Sequence, residues 1–182
     1  MKECFALHNS KGEELAEIEA KMYLEAAFPD MKNIKIKDKP DLRIKTSEGE
    51  IGIEVVTSYP QKQLKEMHKY GGTNTYEYKF DNIIKLFEGK QEKSEGYDKV
   101  YKLELFIISG TPLLWENQDN IHKLLELFLN SSNGTFTTVY FCDTEALYEY
   151  DLVNKEVHKV TDFQGERSVI AMKARKRWEQ YI

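Results

Sequence analysis

Apolar and polar residues alternate with two different periods along this chain, and the switches between them mark out its elements. In "SKGEELAEIEAKMYLEAAF", Leu15, Ile18, Met22 and Ala26 recur at helical spacing. Ser10 stands in N-cap position with Glu13 three residues on, which predicts a helix that Pro29 and Asp30 end. "NIKIK" reads as a short strand or an irregular connection. "DLRIK" and "EIGIEVVT" alternate as half-buried strands do, and "TSEG" between them carries turn chemistry. Together they predict a hairpin, closed off by Pro60.

Residues 61–93 are polar and mostly helical in pattern, with a break at Gly71–Gly72. "YKFDNIIKLFEGKQEK" is the clearest helix there, with Ile83, Ile84 and Phe87 on its apolar side. "VYKLELFIIS" (100–109) becomes wholly apolar toward its end, the mark of a strand buried on both faces. An amphipathic helix, "NQDNIHKLLELFLN", stops near Asn130–Gly134 and is followed by the buried strand "TFTTVYFCD". "EALYEYDL" fits a strand or a helix, and "VNKEVHKV" suits a strand beside it. The tail "SVIAMKARKRWEQYI" is expected to be helical. Without repeat or linker, the order predicts a single domain over residues 1–182. Its class is α/β, a mixed sheet flanked by helices.

Composition narrows this picture. A chain of 182 residues can bury a sizeable core. A net charge of −5 with pI near 5.5 argues against a protein that coats nucleic acid, while leaving room for a locally basic groove. Cys4 and Cys142 stand far apart, which excludes a four-cysteine zinc site and fits two reduced thiols in the cytoplasm. No signal-like apolar run opens the sequence, and no window approaches a membrane span, so a cytoplasmic protein without membrane contact is expected. His8, His68, His122 and His158 have no metal-ligand spacing, and Gly71–Gly72 lacks the pattern of a phosphate loop.

The hairpin poses a chemical problem. A turn centred between Ser47 and Glu48 sets Leu42 opposite Ile53 and Ile44 opposite Ile51 on one face. Asp41 then falls opposite Glu54 on the other, about 4.5–5.5 Å apart at Cβ, where like charges destabilise the pairing. Solvation of both acids, protonation of one, or a cation between them would relieve the repulsion. Mg²⁺ takes one or two carboxylates together with waters and phosphate oxygens. Gly52, on the acid face, is expected to leave room for substrate or water.

"PD" at Pro40–Asp41, followed after one hairpin by "IGIEVV", resembles the PD-(D/E)XK nuclease superfamily, the restriction endonuclease-like fold. The order of elements over roughly residues 11–143 is similar to that family's αβββαβ core. The resemblance implies a Mg²⁺- or Mn²⁺-dependent endonuclease that hydrolyses DNA, in defence, mobile-element processing or repair. It carries metal binding onto Asp41, Glu54 and the main-chain carbonyl of Val55, with Glu19 as the acid from the first helix. One such site cuts one strand, so the resemblance also admits a homodimer.

One departure matters. The family's motif lysine falls two residues after the second acid, where this chain has Val56. Some members supply the lysine from the next helix, which points to Lys93 or Lys90, with Lys39 and then Lys62 behind them. If none reaches the site, the alternative is an inactive nuclease-fold domain that binds a protein partner or nucleic acid. "KARKRW" (173–178) is the basic patch expected to meet phosphates, with Trp178 able to stack on a base. Tyr59, Tyr76 and Tyr78 are further groove candidates.

Overall fold

The computed structural model describes residues 3–58, 80–97, 100–109, 119–143, 145–163 and 166–179, with side chains from residue 15 onward. Lys62, Tyr59, Tyr76, Tyr78, Pro60, His68, Gly71–Gly72 and the helical pattern before residue 80 lie outside the described residues. The described elements run α1 (Glu3–Ala27), β1 (Lys35–Ile36), β2 (Leu42–Lys45), β3 (Glu50–Ser58), α2 (Phe80–Ser94) and β4 (Lys102–Ser109). They continue with α3 (Asp119–Ser131), β5 (Thr138–Cys142), β6 (Ala146–Asp151), β7 (Glu156–Asp162) and α4 (Glu166–Glu179). All seven strands join one sheet in chain order. β3, β4 and β5 are parallel, and antiparallel pairs extend the sheet on both sides, so the expected mixed α/β architecture is present. "NIKIK" forms the two-residue edge strand β1, and "EALYEYDL" resolves as strand β6, paired with β7.

Two apolar layers sandwich the sheet. On one face Tyr23 and Leu24 of α1 meet Ile53, Val55, Phe106, Ile108 and Tyr140. On the other Ile83 and Phe87 of α2 and Phe128 of α3 meet Leu105, Ile107 and Phe141. Gln91 ties the second layer together, donating to Ser131 O (3.0 Å) and accepting from Asn133 N (2.9 Å). α4 packs on α1, burying Ala174 and bringing Ile170 against the first layer.

Two expectations for α1 need correction. The helix starts at Glu3, so Ser10 lies inside it rather than capping it; serine costs a helix interior only a fraction of a kcal/mol, roughly 0.5. Its buried stripe is Ala16, Ala20, Tyr23 and Leu24, while Ala26 is exposed and Leu15, Ile18 and Met22 are only half-buried. The two alanines let the helix lie close to the sheet, and the Tyr23 ring stacks on Phe106 with centroids 6.3 Å apart.

One acid is buried beneath the first layer. Glu104 on β4 is 5% exposed, and its Oε2 meets no hydrogen-bond partner among the described residues. Burial pushes its carboxyl up to about 7, against the pull of the nearby Tyr140 and Thr138 hydroxyls. Half-buried Glu149 shifts in the same direction, again chiefly by burial. The folded chain therefore keeps a proton that the unfolded chain releases above about pH 4.5, so stability falls as pH rises toward 7. Glu104→Gln is expected to stabilise the protein by on the order of 2 kcal/mol at pH 8 and hardly at all at pH 4.5. Urea unfolding at both pH values measures this; equal effects at the two would contradict it.

Candidate functional site

The site is built at the open end of the β2–β3 hairpin. The ladder pairs Leu42 with Ile53 and Ile44 with Ile51, the register read from the sequence, and it stops at Leu42. Beyond that point the side chain of Asp41 takes over from the backbone. Its Oδ2 accepts the Val55 N–H at 2.7 Å, while its main-chain carbonyl accepts from Lys37 N at 2.8 Å. Pro40 sets the position of Asp41. A Cβ added to Gly52 would overlap Pro40 Cγ, so the proline ring fills the space where that side chain would be. The room expected at Gly52 for substrate or water is thus occupied by the chain itself.

α2 lies over this end of the hairpin, and its inward face decides which lysine arrives. Ile83, Phe87, Gln91 and Ser94 are the buried positions of the helix. At about 100° per residue, Lys90 falls about 20° beyond the Ile83 edge of that face and Lys93 about 80° beyond it, so Lys90 is the nearer of the two. Lys90 Nζ stands 2.8 Å from Glu54 Oε2 and 3.8 Å from Asp41 Oδ2. Glu54 is 1% exposed and the Lys90 side chain 22%. Burial disfavours the ammonium, but the hydrogen bond and charge of Glu54, with the charge of Asp41, outweigh it and hold Lys90 above the ordinary lysine pKa. The like-charge problem of the hairpin is thereby met by a cation from the chain itself. Val56, two residues beyond Glu54 on the same face, packs against the α2 layer, so the strand position stays apolar while the charge comes from above.

A hard divalent cation needs oxygen donors. Glu54 Oε2 is engaged by Lys90, but Oε1 is buried and has no hydrogen-bond partner among the described residues. That leaves a carboxylate oxygen with free lone pairs beside a second carboxylate. In extended backbone a residue's N–H and C=O project to the same side, so the Val55 carbonyl faces the edge where its N–H meets Asp41. Two carboxylates and a carbonyl, all hard oxygens, fit Mg²⁺ or Mn²⁺, whose shells waters and phosphate oxygens complete. Tyr97 is a neighbour that sequence reasoning missed. Burial, then the Glu54 charge and a hydrogen-bonding approach to Glu54, raise the pKa of its hydroxyl. It follows the end of α2 at Ser94, so helical spacing from Lys90 did not announce it.

The remaining candidates are placed elsewhere. Lys93 is exposed. Glu19 accepts the Tyr23 hydroxyl at 2.6 Å, and Tyr23 belongs to the α1 layer, whereas Glu54 and Lys90 face the α2 layer. Glu19 therefore does not join Asp41 and Glu54, and no group of three His, Cys, Asp or Glu side chains suited to a metal converges among the described residues. Its choice rested on the Leu15/Ile18/Met22 stripe, and the helix is turned away from that orientation. Lys39 is exposed, its carbonyl accepting from Arg43. The basic residues Lys173, Arg175, Lys176 and Arg177 are exposed on α4, in the α1 layer, and Trp178 is half-buried. Cys142 is buried, its thiol pushed up to about 12 chiefly by burial. No helix among the described residues is long and apolar enough to cross a membrane.

No family model matches the chain, and neither the curated proteins nor the solved structures include a match.

Removing the lysine while leaving a buried carboxylate behind should be costly. Lys90→Met is expected to destabilise the protein by about 2–3 kcal/mol, somewhat below the usual figure for breaking a buried pair because Lys90 is partly exposed. Lys93→Met should change stability by less than about 0.5 kcal/mol. Urea unfolding in a chelator compares the two; similar losses would contradict the assignment of Lys90.

Proposed function

We propose that this protein is a divalent-cation-dependent endonuclease that hydrolyses DNA phosphodiester bonds. The observation that carries the reading is the position of Lys90 Nζ, 2.8 Å from Glu54 and 3.8 Å from Asp41. A lysine beside two carboxylates is the combination that Val56 had put in doubt. The resemblance of Pro40–Asp41 and "IGIEVV" to the PD-(D/E)XK motif supports the same reading.

Asp41, Glu54 and the Val55 carbonyl would hold Mg²⁺ or Mn²⁺. When bound, such an ion supplies polarisation of the phosphate and a water of lowered pKa. The rest of the work falls to the chain. Glu54, fixed by its buried position and by Lys90, and Asp41, fixed by Pro40 and the Val55 N–H, orient their oxygens before any substrate arrives. An ammonium held above its ordinary pKa is a poor base. Lys90 therefore serves by orienting the attacking water and stabilising the charge that gathers on the phosphate oxygens as one P–O bond forms and another breaks.

A second reading is a catalytically inactive domain that binds a protein partner or nucleic acid. It is favoured by the completeness of the ion pair, because Lys90 already answers both acids. Purified protein incubated with plasmid and linear DNA under Mg²⁺ or Mn²⁺ separates the two. The nuclease reading expects cleavage, reduced at least a hundredfold by Asp41→Asn, Glu54→Gln or Lys90→Met and retained in Lys93→Met and Glu19→Gln. Absence of cleavage, or cleavage indifferent to the first three changes, would leave the binding reading.

A further inference from the structure

A concentration of positive charge lies beside the acid pair. Between residues 31 and 46 the chain carries six cations, Lys32, Lys35, Lys37, Lys39, Arg43 and Lys45, against two acids, Asp38 and Asp41, in a protein of net charge −5. The five lysines are all exposed. Asp41 is already engaged by Lys90 and by the Val55 N–H. These residues form β1, β2 and their connections, and β1 is an edge of the sheet.

Strand register places part of this charge on one face. Lys35 pairs directly with Arg43, and Arg43 with Gly52. Directly opposed residues share a face, as do residues two apart on a strand. Lys35, Arg43 and Lys45 therefore lie on the face that carries Glu54. With a rise of about 3.4 Å per residue, Arg43 and Lys45 stand about 7 Å and 14 Å along the chain from Asp41. Two cations opposed across an edge pair are as unfavourable as two acids. Arg43, its side chain 17% exposed, is held by Glu50, 2.9 Å from its Nη1, and by the Lys39 carbonyl, while Lys35 is exposed.

We propose that the β1–β2 edge is a phosphate-binding track, along which Lys35, Arg43 and Lys45, flanked by Lys37 and Lys39, hold the nucleic acid strand whose phosphodiester reaches Asp41 and Glu54. A linear polyanion with regularly repeated charge suits cations set at two-residue steps along a strand and its neighbour. The choice of nucleic acid over another polyanion rests on the nuclease reading, because the track ends at the acid pair. The track also supplies the basic groove that the overall charge conceals, in place of the helix α4.

The test is binding of fluorescently labelled DNA oligonucleotides of several sequences to the full-length protein, in a chelator so that nothing is cleaved, over a series of salt concentrations. Lys35→Gln/Lys37→Gln/Lys45→Gln changes only exposed side chains, and Lys173→Gln/Lys176→Gln on α4 is the control. The edge variant is expected to bind at least tenfold more weakly for every sequence. Its slope of log affinity against log salt should be shallower by about 2–3, close to one for each lost phosphate contact. The α4 variant should match the parent. An edge variant that matches the parent, an α4 variant that loses as much, or a parent that binds no DNA overturns the proposal. A parent that binds through this edge yet cleaves nothing under Mg²⁺ removes the nuclease reading and leaves the track standing. Cleavage by a parent whose edge variant binds unchanged removes the track alone.

Discussion

The ammonium of Lys90 allows two carboxylates to share one end of a hairpin. Glu54 is almost wholly buried, and a buried carboxylate without a partner would cost several kcal/mol in water-free surroundings. Asp41 adds a second negative charge on the same side. Everything around the pair serves to bring one cation within reach of both. The apolar face of α2 carries Lys90 on its rim, beside Ile83, and Val56 gives that helix an apolar surface to rest on. Pro40 against Gly52 turns Asp41 so that its carboxylate, rather than its backbone, satisfies Val55. The arrangement leaves Glu54 Oε1 without a hydrogen-bond partner among the described residues.

Much of this was legible in the sequence because β-strand alternation has a period of two. Once the turn was set between Ser47 and Glu48, the apolar residues fixed the register, and the acids had to share a face. Helix orientation was less legible. For α2 the strong apolar positions at Ile83 and Phe87 pointed to Lys90 over Lys93, although the sequence reading left both open. For α1, Leu15, Ile18 and Met22 outweighed Ala16 and Ala20 in a reading based on hydrophobicity. Close approach to the sheet favours the small residues instead, and with them Tyr23. Glu19 meets the Tyr23 hydroxyl, and α1 as a whole covers the face of the sheet opposite Glu54. The Gly52 contact was not legible, since no local pattern says that a proline twelve residues earlier will lie against it.

The charge of the molecule is uneven in a way that total composition hides. An excess of acids gives the chain its net −5, yet the first two strands and their connections are strongly basic. Short edge strands bearing lysines are also a common protection against edge-to-edge association. What distinguishes this edge is the direct opposition of Lys35 and Arg43 beside Asp41 and the buried Glu54. Glu104 shows the opposite arrangement: beneath the α1 layer burial raises its carboxyl pKa, and the charge of Lys102 offsets this only in part.

The central claim is that Asp41 and Glu54, with Lys90 between them, form a site for one divalent ion. Titration of the protein with Mn²⁺, followed by electron paramagnetic resonance of the free ion, tests it without reference to catalysis. The account predicts one bound Mn²⁺ per chain, lost in both Asp41→Asn and Glu54→Gln and retained in Glu19→Gln. A bound ion that survives both of the first two substitutions, or no bound ion in the parent protein, would contradict it.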